Sequence, residues 1–251
     1  MITLQTITTI ELSSICNLAC LYCINRKLVE SPVRQAGLMD DETFKKTCEL
    51  LQKLVDKGTQ REVNMNGNGE STLDYRLCDR IAAIREIFGK GRHIGLSTNG
   101  LLMTNDLAKK LKESGLTQID VSPHSPYHAR RAAHILYEEK FPKGMVSMGC
   151  MTMSHNWAGQ LEPEHTINCQ LRIQCDPLIE GRGYVLSEGQ VTPCCYDYEN
   201  LGVYGSVFDD DILERPIKPY LLCTTCHQKI PDFILKENNF EQFVDGNKKE
   251  Q

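Results

Sequence analysis

The chain has 251 residues, of which 41% are hydrophobic and 24% charged, and its net charge is −5 at pH 7. This is ordinary globular composition, and the length suits one medium domain or a domain with a small appendage. The negative charge argues against a broad electrostatic grip on nucleic acid or on an anionic membrane. The stretch from Met1 to Glu11 lacks a signal-peptide pattern, and no apolar run approaches the roughly 20 residues of a membrane span. We therefore expect a cytoplasmic protein without a membrane partner.

Residues 1–155 alternate strand-like and helix-like segments. Short runs of β-branched and aliphatic residues predict strands at Thr6–Ser13, Glu62–Met65, Ile94–Ser97, Ile119–Ser122 and Met145–Met153. Apolar residues at helical spacing predict helices at Asp40–Lys57, Tyr75–Phe88, Thr104–Ser114 and Pro126–Lys140. Serial βα units predict a parallel sheet with right-handed crossovers. Five or six such units make a partial barrel, because a closed barrel needs eight.

The sequence pattern changes after Cys169, because apolar residues at helical spacing become rare. A sixth strand is predicted near Ile167–Ile173, and Tyr184–Leu186 with Gln190–Thr192 predict a β-hairpin. The predicted fold is therefore α/β, a partial (β/α)5–6 barrel followed by a small C-terminal hairpin region. The predicted domains are residues 1–165 and 166–251.

Twelve cysteines are unusual for a chain of this length without a signal peptide, and they indicate metal ligands or redox groups. Cys16, Cys20 and Cys23 form a C-x3-C-x2-C motif directly after the first predicted strand. Three thiolates can hold a cubane iron–sulfur cluster, which normally takes four, and so leave one iron open for chemistry. The alternative is a zinc knuckle or chance, although no fourth zinc ligand follows nearby.

The segment Cys16-Asn17-Leu18-Ala19-Cys20-Leu21-Tyr22-Cys23 closely resembles the cluster loop of the radical S-adenosylmethionine (radical SAM) superfamily. The resemblance implies a [4Fe-4S] cluster whose open iron binds the amino and carboxylate groups of SAM, with Tyr22 near the adenine. One-electron reduction would then split SAM into a 5′-deoxyadenosyl radical that abstracts a hydrogen atom.

Two further motifs follow the second and third predicted strands. Asn66-Gly67-Asn68-Gly69-Glu70-Ser71 resembles the family's G-x-G-E-P element, which holds the SAM amino group, although Ser71 replaces the usual proline. Ser97-Thr98-Asn99-Gly100 resembles the S-x-N-G segment, whose polar side chains face the ribose and carboxylate. Taken alone, each motif is an ordinary turn. Together with Ser122 they fall at the carboxyl ends of successive strands, where parallel α/β folds build ligand sites. The predicted SAM-binding residues are Tyr22, Gly67, Gly69, Glu70, Ser97, Asn99 and Ser122.

A second set of cysteines surrounds the predicted hairpin: Cys175, Cys194, Cys223 and Cys226. On chemistry alone, structural zinc explains this set as well as an iron–sulfur cluster does. The pattern also resembles the Twitch region of radical SAM enzymes, a shortened SPASM domain, and this implies an auxiliary [4Fe-4S] cluster that conducts electrons. Chain length and segment order are similar to those of the 2-deoxy-scyllo-inosamine dehydrogenases of the superfamily. Cys169 and Cys195 are alternatives to, or neighbours of, these four ligands.

Candidate catalytic side chains are His124, Cys150 and His155, although each residue type more often has a structural role at such positions. A thiol at Cys150 could return a hydrogen atom to a substrate radical. Trp157 stands where the similar dehydrogenases carry an arginine base, so the same substrate is not expected.

The resemblance predicts hydrogen abstraction from a polar substrate and its two-electron oxidation, with the auxiliary cluster accepting an electron. A small molecule is favoured over a peptide or nucleotide, and an external donor such as flavodoxin or ferredoxin would supply electrons. The alternatives are radical epimerisation, peptide or nucleotide modification and, in another class, a non-catalytic scaffold that binds zinc through both cysteine sets.

Overall fold

The structure is a computed structural model that describes residues 2–142, 144–148, 157–160, 175–226, 230, 234 and 236. Four predictions fall outside these residues. They concern Cys150, His155, Cys169 and the strand near Ile167–Ile173.

One eight-stranded sheet organises the chain. Its strands are β1 (Thr6–Ile10), β2 (Glu62–Met65), β3 (His93–Thr98), β4 (Gln118–Val121), β5 (Val146–Met148), β6 (Arg182–Val185), β7 (Gln190–Thr192) and β8 (Gly205–Ser206). The strand order is β5-β4-β3-β2-β1-β6-β7-β8. Strands β1 to β5 pair in parallel in chain order, as the serial βα pattern predicts.

The C-terminal hairpin continues this sheet. Strand β6 pairs in parallel with the free edge of β1, and β7 and β8 then add in antiparallel fashion. The predicted hairpin is confirmed. The structure also shows that the hairpin pairs with β1, where Ile10 is in register with Val185. The division of the chain near residue 165 stays a prediction.

The helices are α1 (Asn25–Glu30), α2 (Asp41–Asp56), α3 (Leu77–Phe88), α4 (Asn105–Glu113), α5 (Pro126–Glu138) and α6 (Asp176–Glu180). Helix α2 begins where the Asp40 side chain accepts a hydrogen bond from the Thr43 amide at 2.7 Å, and Thr104 caps α4 in the same way. Helices α1 and α6 escape sequence prediction because six and five residues are too few to show a helical period. No helix in the described ranges is long and apolar enough to cross a membrane.

The core lies where the helices α2 to α5 cover the parallel strands. Strand β1 is buried along almost its whole length, as a central parallel strand should be. Ile7 and Ile10 of β1 pack in one cluster with Leu51 of α2 and Ile84 of α3. Because β1 sits between β2 and β6, its carboxyl end delivers the cysteine loop to the middle of the sheet edge.

A buried ion pair joins the hairpin to the rest of the sheet edge. Arg34, which precedes α2, pairs with Glu11 after β1 and with Glu188 in the hairpin turn. The side chains of Arg34 and Glu11 are 0% and 1% exposed. Burial alone would lower the pKa of the Arg34 guanidinium, but the hydrogen bond to Glu188 and the charge of Glu11 raise it overall. Arg34 is therefore permanently charged and holds three separate segments together.

Arg34→Ala should lower the free energy of unfolding by about 3–5 kcal/mol, because it leaves the buried Glu11 carboxylate without its cation. Urea unfolding followed by circular dichroism measures the change. Lys46→Ala removes an exposed ion pair with Glu49 and serves as the control, with no expected shift of the midpoint. Equal midpoints for the two variants would contradict this structural role of Arg34.

Candidate active site

A cavity of about 280 Å³ opens at the carboxyl ends of β1 to β4, and we call it the first cavity. It contains the three cysteines of the first motif, Cys16, Cys20 and Cys23. It also contains all seven predicted SAM-binding residues, namely Tyr22, Gly67, Gly69, Glu70, Ser97, Asn99 and Ser122. The candidate catalytic residue His124 lines the same wall. Residues that are far apart in sequence meet here because each follows a strand of the same parallel sheet.

The cysteine loop is held by a side chain that sequence reasoning missed. Asn25 is buried directly after the loop, and its side-chain amide donates to the carbonyls of Ser14 at 2.8 Å and Asn68 at 2.7 Å. Its backbone amide also donates to the Cys23 sulfur at 3.5 Å. Burial raises the pKa of the Cys23 thiol to about 11, so a cationic core is needed to hold it as a thiolate. The only sequence signal for Asn25 was a polar residue near the last cysteine.

Glu70 connects the loops that follow β2 and β3. Its carboxylate is 4% exposed and accepts hydrogen bonds from the Thr98 hydroxyl at 2.7 Å and the Thr72 hydroxyl at 2.6 Å through Oε1. Its Oε2 accepts a hydrogen bond from the backbone amide of Asn99 at 2.8 Å. This oxygen keeps a second lone pair, which could accept a hydrogen bond from an ammonium group. The Asn99 side chain in turn donates to Asn17 of the cysteine loop at 2.7 Å.

The glycines of the β2 loop are required by neighbouring protein atoms. A Cβ on Gly69 would lie 2.2 Å from the carbonyl oxygen of Ser13 and 2.5 Å from that of Ile15. A Cβ on Gly67 would lie 2.6 Å from the Glu11 side chain. The loop can therefore reach the cysteine loop only if these two positions lack side chains.

Tyr22 and His124 form a pair on the wall of the first cavity. The Tyr22 hydroxyl lies 2.6 Å from His124 Nδ1, and the two ring centroids are 5.7 Å apart. Burial lowers the pKa of His124 in spite of the nearby Glu70, so the imidazole is neutral at pH 7. Burial, together with the neighbouring Cys20, raises the pKa of Tyr22 to about 12. The pair offers two uncharged rings beside the cysteine loop, which is where the resemblance puts the adenine.

A second cavity, also of about 280 Å³, lies beside β6 and the hairpin. It brings together all four cysteines of the second set, Cys175, Cys194, Cys223 and Cys226, and adds Cys195 as a fifth. Burial raises the pKa of Cys175 to about 12 and also raises that of Cys223. Within the described residues, no three His, Cys, Asp or Glu side chains are arranged to hold a single metal ion.

The buried Asp197 shapes the loop that carries Cys194. Its carboxylate is buried and accepts hydrogen bonds from the Thr192 hydroxyl at 2.9 Å and from the amides of Leu201 and Gly202, both at 2.8 Å. All of these donors lie within five residues of Asp197. It therefore stabilises a tight turn beside the second cavity.

A third cavity of about 290 Å³, the central chamber, lies between the other two. It shares Asn66 and Trp157 with the first cavity and shares Tyr184 and Cys195 with the second. Glu11 also lines it, but both oxygens of that carboxylate are already occupied by donors from Arg34 and Asn68. None of the described residues around the chamber is Lys or Arg. Sequence reasoning found Asn66 and Cys195 separately but not this space, because only the fold brings the β2 loop and the hairpin together.

Comparison with known proteins assigns the class. The Radical SAM superfamily profile matches residues 10–141, which is more than half of the chain and includes the cysteine loop and the β2 and β3 loops. The chain therefore belongs to the radical SAM superfamily, as its cysteine motif predicted. Membership makes it an enzyme that binds SAM and a [4Fe-4S] cluster and cleaves SAM to begin radical chemistry.

Individual relatives support the fold. The chain is 31% identical over 107 residues to the tungsten-containing aldehyde ferredoxin oxidoreductase cofactor-modifying protein of Pyrococcus furiosus. The aligned residues make up 43% of this chain and only 27% of that protein. The crystal structure of BtrN in complex with AdoMet and 2-DOIA superposes with a TM-score of 0.67 at 23% identity, over 84% of this chain and 82% of BtrN. Native anSMEcpe with bound AdoMet gives a TM-score of 0.55 at 16% identity, over 81% and 78% of the two chains. The predicted partial barrel of the radical SAM type is confirmed, and so is the likeness of its fold to that of BtrN.

Gly69→Ala should abolish measurable SAM binding, because the added methyl group would collide with two backbone carbonyls and push the β2 loop away from the cysteine loop. Equilibrium dialysis with SAM on anaerobically reconstituted protein measures this loss. Gly37→Ala is the matched control, since a Cβ there meets no atom within 4 Å, and it should bind SAM normally. Normal binding by Gly69→Ala would show that the two loops need not touch.

Proposed function

We propose that the enzyme oxidises a small polar substrate by two electrons, with a second [4Fe-4S] cluster accepting one of them. The observation that carries this proposal is the central chamber, which touches the cysteine-lined cavity on either side. A substrate in the chamber would lie next to the SAM site and next to an electron acceptor at once.

Cys16, Cys20 and Cys23 would hold the first cluster, and the free lone pair on Glu70 would receive the SAM ammonium group. When bound, SAM and this cluster supply a 5′-deoxyadenosyl radical. Tyr22 and His124 present their rings to the same cavity and help to keep water from it.

The walls of the chamber favour a small substrate with hydroxyl or amine groups. Trp157 and Tyr184 supply aromatic surface, and Thr9 and Asn66 supply polar groups. The buried amide oxygen of Asn66 lacks a hydrogen-bond partner among the described residues, and a substrate donor would satisfy it. An anionic group would find no described cation in the chamber. The similar protein BtrN forms a complex with AdoMet and 2-DOIA, and this supports a small-molecule substrate here.

The proposed oxidation removes one hydrogen atom, one proton and one electron from the substrate. The substrate C–H bond gives its hydrogen atom to the 5′-deoxyadenosyl radical and forms 5′-deoxyadenosine. The resulting substrate radical loses one proton to water and one electron to the second cluster, and a carbonyl or imine forms. Water is the proton acceptor because Glu11 is already occupied by Arg34 and Asn68. A flavodoxin or ferredoxin would supply the electron that SAM cleavage consumes.

The cysteines Cys175, Cys194, Cys223 and Cys226 line one cavity together, and their pattern resembles the Twitch region of radical SAM enzymes. Four thiolates can ligate either zinc or a [4Fe-4S] cluster, so that resemblance is what supports the cluster over zinc at this cavity.

Radical epimerisation is the second candidate, and Cys195 is the observation that favours it. Its thiol lines both the second cavity and the central chamber and contacts Tyr184 and Cys194. A thiol on the chamber wall could return a hydrogen atom to the substrate radical. The two outcomes differ in product mass, because oxidation removes two hydrogen atoms and epimerisation removes none.

Replacing Cys16, Cys20 and Cys23 together by alanine should abolish release of 5′-deoxyadenosine in the presence of dithionite and SAM, because no site for the first cluster remains. Liquid chromatography measures the nucleoside. Cys78→Ala changes a thiol on α3 outside all three cavities and should leave the yield unchanged. Wild-type protein should carry about eight irons with sulfide, as two cubanes require, whereas a scaffold protein would carry about two zinc ions. An unchanged nucleoside yield in the triple variant would refute the first-site assignment.

Cys223→Ala/Cys226→Ala should keep about four irons and should still release 5′-deoxyadenosine at saturating SAM, but it should form no product, because the electron acceptor is lost. The wild-type protein and the variant are incubated in D₂O with panels of polyols, amino sugars, peptides and nucleotides. Mass spectrometry then measures the product. Oxidation gives a product lighter by two hydrogens, and epimerisation gives an isomer that carries deuterium. Retention of eight irons in this variant would mean that the second set does not bind a cluster.

A further inference from the structure

A four-residue segment touches both cysteine-bearing regions of the protein. This strap comprises residues 157–160. The indole Nε1 of Trp157 donates to the carbonyl oxygen of Tyr22 at 3.0 Å, and Tyr22 lies in the first motif between Cys20 and Cys23. Trp157 also lines both the first cavity and the central chamber. One end of the strap is therefore attached to the loop that would carry the SAM-binding cluster.

The same strap is attached to the loop after Cys194 and Cys195. The Trp157 ring meets the Tyr196 ring edge-on, with centroids 5.6 Å apart and planes at 83°. The side-chain amide of Gln160 donates to the Tyr196 carbonyl at 2.8 Å, and the Tyr196 amide donates to the Cys194 sulfur at 3.4 Å. The strap is therefore attached at two points to the loop that carries Cys194 and Cys195.

A third attachment reaches the other loop of the second cysteine set. The Thr225 hydroxyl, which lies between Cys223 and Cys226, donates to the carbonyl oxygen of Ala158 at 2.5 Å. Ala158 also lines the second cavity. The strap is thus held by both loops that would surround the second cluster.

The backbone of the strap needs these attachments. Trp157 and Ala158 have φ angles of 50° and 58°, in the left-handed region that residues other than Gly and Asn rarely adopt. Neither residue type stabilises this conformation locally, so the contacts at both ends must impose it. Loss of the contacts at one end favours relaxation of the strap and release of the other end.

We propose that the strap couples the two cysteine-lined cavities, with Trp157 as the positioning residue, so that filling the second cavity strengthens SAM binding in the first. The second-set loops would hold Trp157 in the conformation that fixes the Tyr22 carbonyl. The coupling rests on the proposed function only in that SAM binds in the first cavity and a cluster in the second. Its consequence is that SAM is held well only when an electron acceptor is already in place.

The test is a double-mutant cycle on SAM affinity, measured by equilibrium dialysis with anaerobically reconstituted protein. Trp157→Phe keeps a ring but removes the donor to Tyr22, and Cys223→Ala/Cys226→Ala prevents filling of the second cavity. Each change should weaken SAM binding by about 5-fold or more, within the usual range of coupling between sites. The combined variant should bind SAM as tightly as whichever of the two separate variants binds it less tightly. The losses do not add, because both changes break the same connection through the strap.

Thr225→Val tests the strap without touching a cysteine. It removes the donor to Ala158 and should retain about eight irons, since both cysteine sets remain. It should weaken SAM binding and speed amide hydrogen exchange in residues 20–24, a change that a purely local role beside the second cavity would not produce. Tyr137→Phe, at a side chain 81% exposed on α5, is the matched control and should change neither quantity.

Independent, multiplicative losses in the cycle, or an unchanged SAM affinity in all variants, would overturn the coupling. If the combined variant does not fold by circular dichroism, Thr225→Val and its exchange pattern decide. Failure of the proposed function looks different, because wild-type protein would then release no 5′-deoxyadenosine. Normal SAM cleavage with independent losses rejects the coupling alone.

Discussion

The carboxylate of Glu11 is buried at the carboxyl end of β1, and each of its oxygens serves a different part of the chain. One accepts from Arg34, which also holds the hairpin turn through Glu188, and the other accepts from the backbone and side chain of Asn68. A buried carboxylate is tolerated only when its charge is paired and its lone pairs are filled. That requirement draws the β2 loop, the segment before α2 and the hairpin to one point. Glu11 lines the central chamber at this point, and its partner Asn68 lines both the chamber and the first cavity.

The central chamber shares lining residues with the first cavity and with the second, so a substrate in the chamber would be next to both. The first cavity contains the family's cofactor motifs, and the second contains a separate set of thiols. The chamber is lined by aromatic rings, uncharged polar groups and the paired Glu11 carboxylate. A reactive radical needs a substrate that is held close to the radical source. The pairing of β6 with β1 creates this arrangement, because it carries the second set of thiols to the edge where the first already lies.

Trp157 is the only tryptophan in the chain and stands at the junction of these spaces. It bonds to the cysteine loop through its indole nitrogen and packs on Tyr196 through its ring, so one side chain serves as wall and connector. The sequence resemblance implies an arginine base at this position in the similar dehydrogenases. A neutral indole cannot take a proton from the substrate, so the proposed oxidation delivers that proton to water.

Much of the first site could be predicted because its parts are encoded locally. The C-x3-C-x2-C motif and the helix starts at Asp40 and Thr104 depend on neighbours a few residues away, and the rule that parallel strands end at one edge brings the motifs together. The tertiary structure alone decided the partners of Glu11, the support of the cysteine loop by Asn25, the placement of β6 beside β1 and the chamber with Cys195 on its wall. These features join residues up to 176 positions apart, as the Glu11–Ser187 hydrogen bond does. No local period or motif records such a pairing, because it is selected by burial and charge compensation in the complete fold.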